Sequence, residues 1–520
     1  MPKPLSFGHV GVELTVGGSP AGEEVGPDTP FRILILGDFS GRRNRGPSLA
    51  DAPLKNRRPL RVDRDNLDQV LARMGVELQL PVAGPEGARL TLRFTELDDF
   101  HPDRLFRRAE VFQAWQDWRS RLSNPATFEA AAEEMRTWMS AGRREEPEPA
   151  AEKKPAPEPV PVSSENLLEH ILGETPVAGT SAPAAAGGVD WQAYLQKMVE
   201  PYTLPRTDTA RQAQLTTLVD QAIGRQMRAF LHHPDFQALE AAWRGLDFLV
   251  RRLETDGNLK LYVLDVSREE LAADLNAVED LSATGIYKLL VEPTVGTAGG
   301  QPWGVLAGLF TFDFRQEDVE LLGRLARIAH LTGAPFLGAA QSRLVGCESL
   351  AQTPDPDDWN QEDPEGADRW QTLRRLGEAS SLGLALPRFL LRLPYGREAD
   401  PTEQFQFEEL AQDSTHESYL WGNPALACTL LLGQAFTRYG WDFRPGMVQD
   451  IDDLPIHVYE QDGDKEMKPC AEVVLGLRAA ERMADQGLMP LLSVQQQGAV
   501  RLGKFQSVAE GNGKLAGRWQ

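Results

Sequence analysis

Apolar residues in the stretch 226–253 recur at intervals of three and four, which is the spacing of one face of an α-helix. The pattern breaks at His233-Pro234, because a residue before a proline is displaced from the α-helical region. After the break the apolar positions are Phe236, Leu239, Trp243, Leu246 and Val250, with Leu249 and Leu253 widening the stripe. A stripe this wide faces a protein core rather than a coiled-coil seam. The stretch therefore predicts two consecutive helices in a buried hairpin.

Short apolar runs bounded by turn residues predict buried strands elsewhere in the chain. Such runs lie at 31–36, 76–80, 88–94, 259–266, 305–310 and 334–340, and an amphipathic helix pattern covers 318–330. Strands that alternate with helices predict an α/β layer architecture. We expect two mixed α/β domains, over residues 31–140 and 189–520.

The two predicted domains are separated by residues 141–188, a Pro/Glu/Ala-rich segment with prolines at positions 147, 149, 155, 157, 159 and 161. This composition is typical of a disordered, extended linker. Within it, residues 163–172 (SSENLLEHIL) carry an apolar stripe of Leu167, Leu168, Ile171 and Leu172. Because an isolated ten-residue helix is marginal in water, we interpret the stripe as a partner-binding helix; the alternative is packing on its own domain.

The N-terminal tail, residues 1–30, is rich in glycine and proline and contains one alternating piece. Alternation of apolar and polar positions is the pattern of a strand with one buried face. The piece predicts an edge strand that pairs either within the chain or with a neighbouring copy. Its apolar residues are Val10, Val12, Leu14 and Val16.

Composition excludes several classes of protein. The chain has 76 acidic and 54 basic residues, a net charge of −22, whereas nucleic-acid binding requires a basic face. Cys347, Cys428 and Cys470 are odd in number and widely spaced, which fits a reducing cytosol rather than a disulfide framework or a CxxC metal site. The N-terminus lacks the apolar core of a signal peptide, and no apolar run is long enough to span a membrane. We expect a cytoplasmic protein that binds neither nucleic acid nor membrane.

Candidate catalytic and metal-binding groups are sparse. Asp38 or Ser40 would be a nucleophile at a strand end, but no general base, phosphate loop or GxSxG motif accompanies them. The acids at 63, 65 and 68 suit helix capping better than metal binding, and the Gly-rich stretch 292–304 lacks a Walker ending. Asp462-Gly463-Asp464 is typical of a hairpin turn, with calcium binding the alternative. We expect no catalytic residue, no metal site and no cofactor.

Two arginines lie among apolar residues in the stretch 384–395, where a buried charge needs a partner. We expect Arg388 and Arg392 to pair with acids such as Glu408 and Glu409.

Several long strings resemble one family. The string HHPDFQALEAAWRGLDFLV (232–250) resembles the large subunit of the type VI secretion contractile sheath, as do SLGLALPRFLLRLPYG, SYLWGNPALA and FTRYGW further on. The strings GDFSG, RVDRDN and LRFTELDDFHPDRLF resemble the small subunit of the same sheath. The resemblance covers residues 31–140 and 163–508, so one chain resembles both subunits. It implies that the two domains form one sheath-type protomer.

The resemblance implies a structural component of a contractile injection apparatus, which acts by protomer interaction and contraction rather than catalysis. The implied partners are other copies of the chain and other sheath subunits, then the inner-tube protein, the baseplate and a ClpV-like AAA+ unfoldase that grips the 163–172 helix. The chain ends before the family's C-terminal arm, which links protomers by strand exchange, and this favours a limited assembly. The alternative is a non-polymerising, sheath-like module that engages the sheath, the baseplate or the unfoldase.

Overall fold

The structure is a computed structural model that describes residues 5–10, 26, 28–46, 53–81, 89–141, 208–295, 299–360, 363–411, 414–461, 464–511 and 513–519. The chain divides into two compact units. One contains residues 1–80, 91–109 and 223–520, and the other contains residues 81–90 and 110–222. The predicted linker with its 163–172 helix lies outside the described residues.

The described residues contain strands and helices in alternation, so the predicted α/β class is confirmed. The strands are β1 Phe31–Gly37, β2 Leu60–Val62, β3 Val76–Pro81, β4 Arg89–Phe94, β5 Leu259–Asp265, β6 Val305–Phe312, β7 Phe336–Ala340, β8 Leu382–Leu386, β9 Phe389–Leu390, β10 Trp421–Gly422, β11 Asp450–Ile451, β12 Val458–Gln461, β13 Asp464–Met467, β14 Leu488–Ser493 and β15 Val500–Leu502. The helices are α1 Arg42–Arg45, α2 Leu67–Met74, α3 Pro102–Arg108, α4 Glu110–Ser123, α5 Phe128–Ala141, α6 Asp208–Leu231, α7 Pro234–Arg252, α8 Arg268–Asn276, α9 Gly285–Leu290, α10 Gln316–Thr332, α11 Pro364–Arg374, α12 Pro424–Tyr439 and α13 Leu477–Asp485. No described helix is both long and apolar enough to cross a lipid bilayer.

A nine-stranded sheet forms the centre of the larger unit, in the order β11-β15-β14-β8-β7-β6-β1-β5-β2. The six strands from β14 to β5 are parallel to their neighbours, and antiparallel strands complete both edges. Strands β7 and β8 are buried at every position. Continuous burial is the reason that these strands are apolar runs rather than alternating ones, as in other parallel sheets covered on both faces.

Strand β1 comes from the N-terminal segment but lies in the middle of this sheet. It pairs in parallel with β5 along its whole length, and with β6 from Ile33 to Leu36. The short strand β2 pairs with the other edge of β5. The compact units therefore do not follow the predicted boundaries at residues 140 and 189, because two strands of the N-terminal segment complete a sheet whose other strands come from after residue 258.

Helices cover the sheet on both faces. Leu34 and Leu36 belong to a large apolar cluster with Val319 and Leu322 of α10. Ile33, whose side chain points to the opposite face, lies against Gly433 of α12. The sheet is therefore the middle layer of three, and the core lies on both sides of β1.

The two predicted consecutive helices are confirmed, with the break at the predicted place. Helix α6 ends at Leu231 and α7 begins at Pro234. The His233 side chain accepts a hydrogen bond from the Asp235 N–H (3.2 Å) and so caps α7. The predicted apolar stripe is buried, and Trp243 is fully buried at 0% exposure. The periodicity of this stretch reflects a helix with one face in the core.

The smaller unit is mainly helical in its described part. Its helices are α4, α5 and the portion of α6 up to residue 222. Arg119 donates to Asp220 at 2.7 Å, and the Gln212 side chain donates to the Leu122 carbonyl at 2.9 Å. Buried Trp115 contributes to its interior. These contacts hold α4 against α6.

Candidate functional site

The turn that follows β1 holds the two residues considered as nucleophiles. The Asp38 carboxylate accepts hydrogen bonds from the N–H groups of Arg42 (2.7 Å) and Arg43 (2.8 Å) and so caps α1. Burial raises the pKa of Asp38, against these backbone bonds. The Ser40 hydroxyl donates to Asp265 Oδ2 at 2.7 Å. Both side chains shape the turn, and this geometry gives no support to a nucleophile here.

A group of side chains fastens this turn to the later part of the chain. Asp265, at the end of β5, accepts hydrogen bonds from the N–H groups of Phe39 (2.9 Å) and Ser40 (3.1 Å) and from Arg42 Nε (2.6 Å). The indole N–H of Trp243 donates to the Phe39 carbonyl at 2.8 Å. We call Phe39, Ser40, Arg42, Trp243 and Asp265 the seam cluster.

An ion pair extends the seam cluster. Arg57 donates to both oxygens of Glu270, and Glu270 also closes a capping box with Ser267 at the start of α8. The Arg57 side chain further donates to the Asp265 carbonyl at 2.9 Å. Three residues of the N-terminal segment, Ser40, Arg42 and Arg57, thus bond to the end of β5 and the start of α8.

A buried ion cluster holds α7 against the segment that follows β8. Arg392 lies between two carboxylates, with Nε 2.8 Å from Glu240 Oε1 and Nη1 2.7 Å from Glu409 Oε2. Arg244 binds the same Glu240 oxygen at 2.6 Å and the Tyr395 hydroxyl at 2.7 Å. The predicted pairing of Arg392 with Glu409 is confirmed. We call Glu240, Arg244, Arg392, Tyr395 and Glu409 the buried ion cluster.

The partner predicted for Arg388 is wrong. Its guanidinium donates to Glu417 (2.9 Å) and Glu472 (2.8 Å from Nε) rather than to Glu408. Glu408 instead accepts from the Arg397 N–H at 3.1 Å. The chain turns after β8, so Arg388 faces the loop that follows β13. The prediction chose acids close to Arg388 in sequence, whereas Glu472 lies 84 positions away.

His416, Glu417 and Glu472 meet closely enough to be compared with a metal site. Their ligand atoms lie within 4.8 Å of one another. The Arg388 guanidinium, however, bonds both carboxylates, so positive charge is already supplied there. A metal ion would have to displace Arg388, and the geometry therefore fits an ion-pair network rather than a metal centre.

The predicted binding segments are only partly within the described residues. Leu167, Leu168, Ile171 and Leu172, as well as Val12, Leu14 and Val16, lie outside them. Val10 is partly buried against the main apolar cluster. Just before it, the His9 N–H donates to the Glu279 carbonyl (2.8 Å) and the His9 carbonyl accepts from the Leu281 N–H (2.7 Å). The exchanged strand and the partner-binding helix remain predictions.

Acidification is expected to destabilise the protein. Burial raises the pKa of Glu240, Glu270 and Glu472, but their guanidinium and hydrogen-bond partners outweigh it, so each pKa lies below its usual value. Such carboxylates stabilise the fold above the unfolded pKa, about 4.3 for glutamate, and this contribution is lost as pH falls through the folded pKa. We expect the Tm to fall on acidification from about pH 6 to about pH 3. Differential scanning calorimetry measures this, and a constant Tm would contradict it.

Known protein families match an N-terminal part and a C-terminal part of the chain separately. Residues 213–509 match the family described as EvpB/VC_A0108, tail sheath N-terminal domain (VipB). Residues 11–140 match the family described as Type VI secretion system, VipA, VC_A0107 or Hcp2. The type VI secretion system sheath protein TssC1 of Pseudomonas aeruginosa is 38% identical over 282 residues. That alignment covers 53% of this chain and 56% of the relative, so the chain spans little more than half of the relative's length.

The resemblance to both sheath subunits is therefore confirmed. The VipB match covers more than half of the chain, and the VipA match lies ahead of it. The chain belongs to the VipB tail sheath family, and it carries a VipA-type segment in the same polypeptide.

Proposed function

We propose that this chain is a structural protomer of a type VI secretion sheath, and that it acts in the cytoplasm by protomer association and contraction without a catalytic step. One observation carries the proposal. Strand β1 of the VipA-type segment lies between β5 and β6 of the VipB-type segment. A fused chain with this sheet carries strands of both sheath subunit types in one sheet and in a fixed one-to-one ratio.

The proposed partners are other copies of the chain and other sheath subunits, followed by the inner-tube protein, the baseplate and a ClpV-like unfoldase. Within the described residues the large sheet ends in β2 on one side and in β11 on the other. Edge strands expose N–H and C=O groups that accept a strand from another chain. The net charge of −22 argues against nucleic acid as a partner.

A second candidate is a sheath-like module that does not polymerise. One observation favours it. Residues 6–9 dock on their own chain, where the Ser6 hydroxyl donates to Glu279 (2.8 Å) and the Phe7 ring lies against Gly323. These contacts lie immediately ahead of Val10 and so support a segment that folds back on its own protomer.

Electron microscopy of the purified full-length protein separates the two candidates. We expect helical tubes of stacked rings if the chain is a sheath protomer, because each copy then offers strand edges to its neighbours. Size-exclusion chromatography with light scattering should show the same association in solution. A monomer that persists under all conditions would instead support the non-polymerising module.

A variant without residues 1–20 tests strand exchange separately. Deleting these residues removes Val10, Val12, Leu14 and Val16, so an assembly that needs the strand should shrink to the monomer. An oligomer of unchanged size after the deletion would exclude strand exchange by this segment, while leaving the sheath proposal to the microscopy.

We also propose that residues 163–172 bind the unfoldase. Replacing Leu168 and Ile171 together by Asp is expected to abolish binding to the N-terminal domain of the cognate ClpV-type protein, because charges on the stripe cannot enter an apolar groove. Isothermal titration calorimetry measures the loss. The matched control is Glu165→Gln with Glu169→Gln, off the stripe, which should retain binding. A fall in Tm of the Asp variant would indicate packing on its own domain instead.

A further inference from the structure

An open cleft of about 840 Å³ lies between the segment 393–419 and the β12–β13 hairpin. The hairpin contributes residues 456–460 and Lys468 to its lining. Strand β12 pairs with β13 from Val458 to Gln461, and no second strand pairs with β12 among the described residues. Residues 458–460 of this lining belong to β12, and Ile456 and His457 lead directly into it, so the β12 side of the hairpin borders the cleft.

Apolar side chains accompany this free edge. Ile456 is 42% exposed and Val458 is 50% exposed, which makes them two of the few large apolar side chains left in solvent in the described structure. Val458 is the first residue of β12, and Ile456 lies two positions ahead of it in the chain. An extended peptide that pairs with β12 would satisfy its backbone groups and cover these side chains.

Lys468 and Arg397 supply positive charge to the cleft, whose lining also holds the carboxylates of Glu398, Glu408 and Glu460. The Lys468 ammonium donates to His416 Nδ1 (3.0 Å), and His416 Nε2 in turn donates to Glu472 (3.1 Å). The ammonium also lies 4.9 Å from the centre of the Tyr419 ring. Within the described residues it forms no ion pair with a carboxylate, although most arginines nearby do.

The position of Lys468 strengthens its attraction for an anion. Burial lowers the pKa of Lys468, although Glu472 and Glu417 partly oppose this. Folding has therefore already removed the ammonium partly from water, so a ligand need not supply all of that desolvation free energy. A carboxylate that binds there also interacts with the ammonium through a lower dielectric than at the open surface. A fully exposed lysine has no such advantage.

We propose that this cleft binds an extended peptide segment of a partner protein that carries an Asp or Glu side chain, by strand addition along β12 with the carboxylate paired to Lys468. The backbone of β12 provides affinity for any extended chain, and Lys468 selects those with an acid at the matching position. This site is separate from the seam cluster, and it does not depend on the proposed sheath function.

The test uses full-length protein with labelled isoleucine and valine methyl groups and the peptide acetyl-Gly-Thr-Val-Glu-Val-Thr-Gly-amide. We expect the Ile456 and Val458 methyl signals to shift in NMR titration. The same peptide with Gln in place of Glu should bind about tenfold more weakly, which corresponds to about 1.4 kcal/mol. Absence of any shift at millimolar Glu peptide, or equal affinity for both peptides, would overturn the proposal.

Two lysine variants complete the test. Lys468→Met should lower affinity for the Glu peptide to that of the Gln peptide. Lys465→Met is the matched control, because Lys465 is exposed on the neighbouring strand β13 and does not line the cleft. Equal loss in both variants would mean that general charge, not this site, attracts the peptide. The comparison of peptides on the unaltered protein stays valid even if Lys468→Met is unstable.

Discussion

Replacing Arg392 by methionine is expected to lower the free energy of unfolding by about 3–5 kcal/mol. The Arg392 side chain is 9% exposed, and the side chains of its partners Glu240 and Glu409 are 0% and 1% exposed. Methionine retains much of the volume but leaves Glu409 without its guanidinium partner and Glu240 with Arg244 alone. An unpaired carboxylate in the interior costs several kcal/mol. Chemical denaturation of the full chain, followed by circular dichroism, measures the loss.

Arg251→Met on the same helix is the matched control for Arg392→Met. Arg251 pairs with Asp247 at 2.7 Å, but its side chain is 58% exposed. An exposed i,i+4 pair contributes only about 0.3–0.5 kcal/mol. Adding Glu409→Gln to Arg392→Met removes the stranded charge and should recover part of the loss, while Glu240 keeps its pair with Arg244. Equal losses for Arg392→Met and Arg251→Met would show that the cluster does not carry the expected energy.

Local patterns in the sequence were sufficient to predict the individual helices and strands. Helices α6 and α7 follow from apolar spacing, and the break between them follows from Pro234; both features depend on neighbouring residues only. Buried strands such as β1 and β7 follow from short apolar runs for the same reason. Family resemblance then indicated which protein type has these elements in this order.

The contacts between distant segments could not be predicted in the same way. Ser40 and Asp265 are 225 positions apart, and no local pattern pairs them. Glu240 is an acid between Leu239 and Ala241 on α7, and no local feature predicts that it is fully buried. Acids are rarely buried unless paired, and its partner Arg392 lies 152 positions later. The order of strands in the sheet could not be predicted either. An apolar run shows that a strand is buried but does not show between which strands it lies.

The second large effect concerns β1. We expect residues 189–520, produced without residues 1–188, to aggregate or remain unfolded. Phe31, Ile33, Leu34, Ile35 and Leu36 are each no more than 1% exposed, and their burial contributes on the order of 10 kcal/mol at roughly 1.5–3 kcal/mol per side chain. A domain is stable by only about 5–15 kcal/mol. Loss of β1 also leaves facing edges of β5 and β6 unpaired, which promotes aggregation. Solubility and circular dichroism of the fragment measure the effect.

Cutting the chain without removing β1 is the control for this effect. Limited proteolysis is expected to cleave between about residues 141 and 188, because a Pro/Glu/Ala-rich tether is an easily cut segment, and the two fragments should elute together. Cleavage removes only a covalent connection, whereas β1 and the seam cluster continue to hold the pieces.

Co-expression of residues 1–140 with residues 189–520 should restore a soluble complex for the same reason. Fragments that separate in native buffer would show that β1 and the seam cluster do not hold the two parts together. A chain that resists the protease would contradict the prediction of an extended linker at residues 141–188. The central position of β1 thus makes the VipA-type segment a part of the sheet of the VipB-type segment.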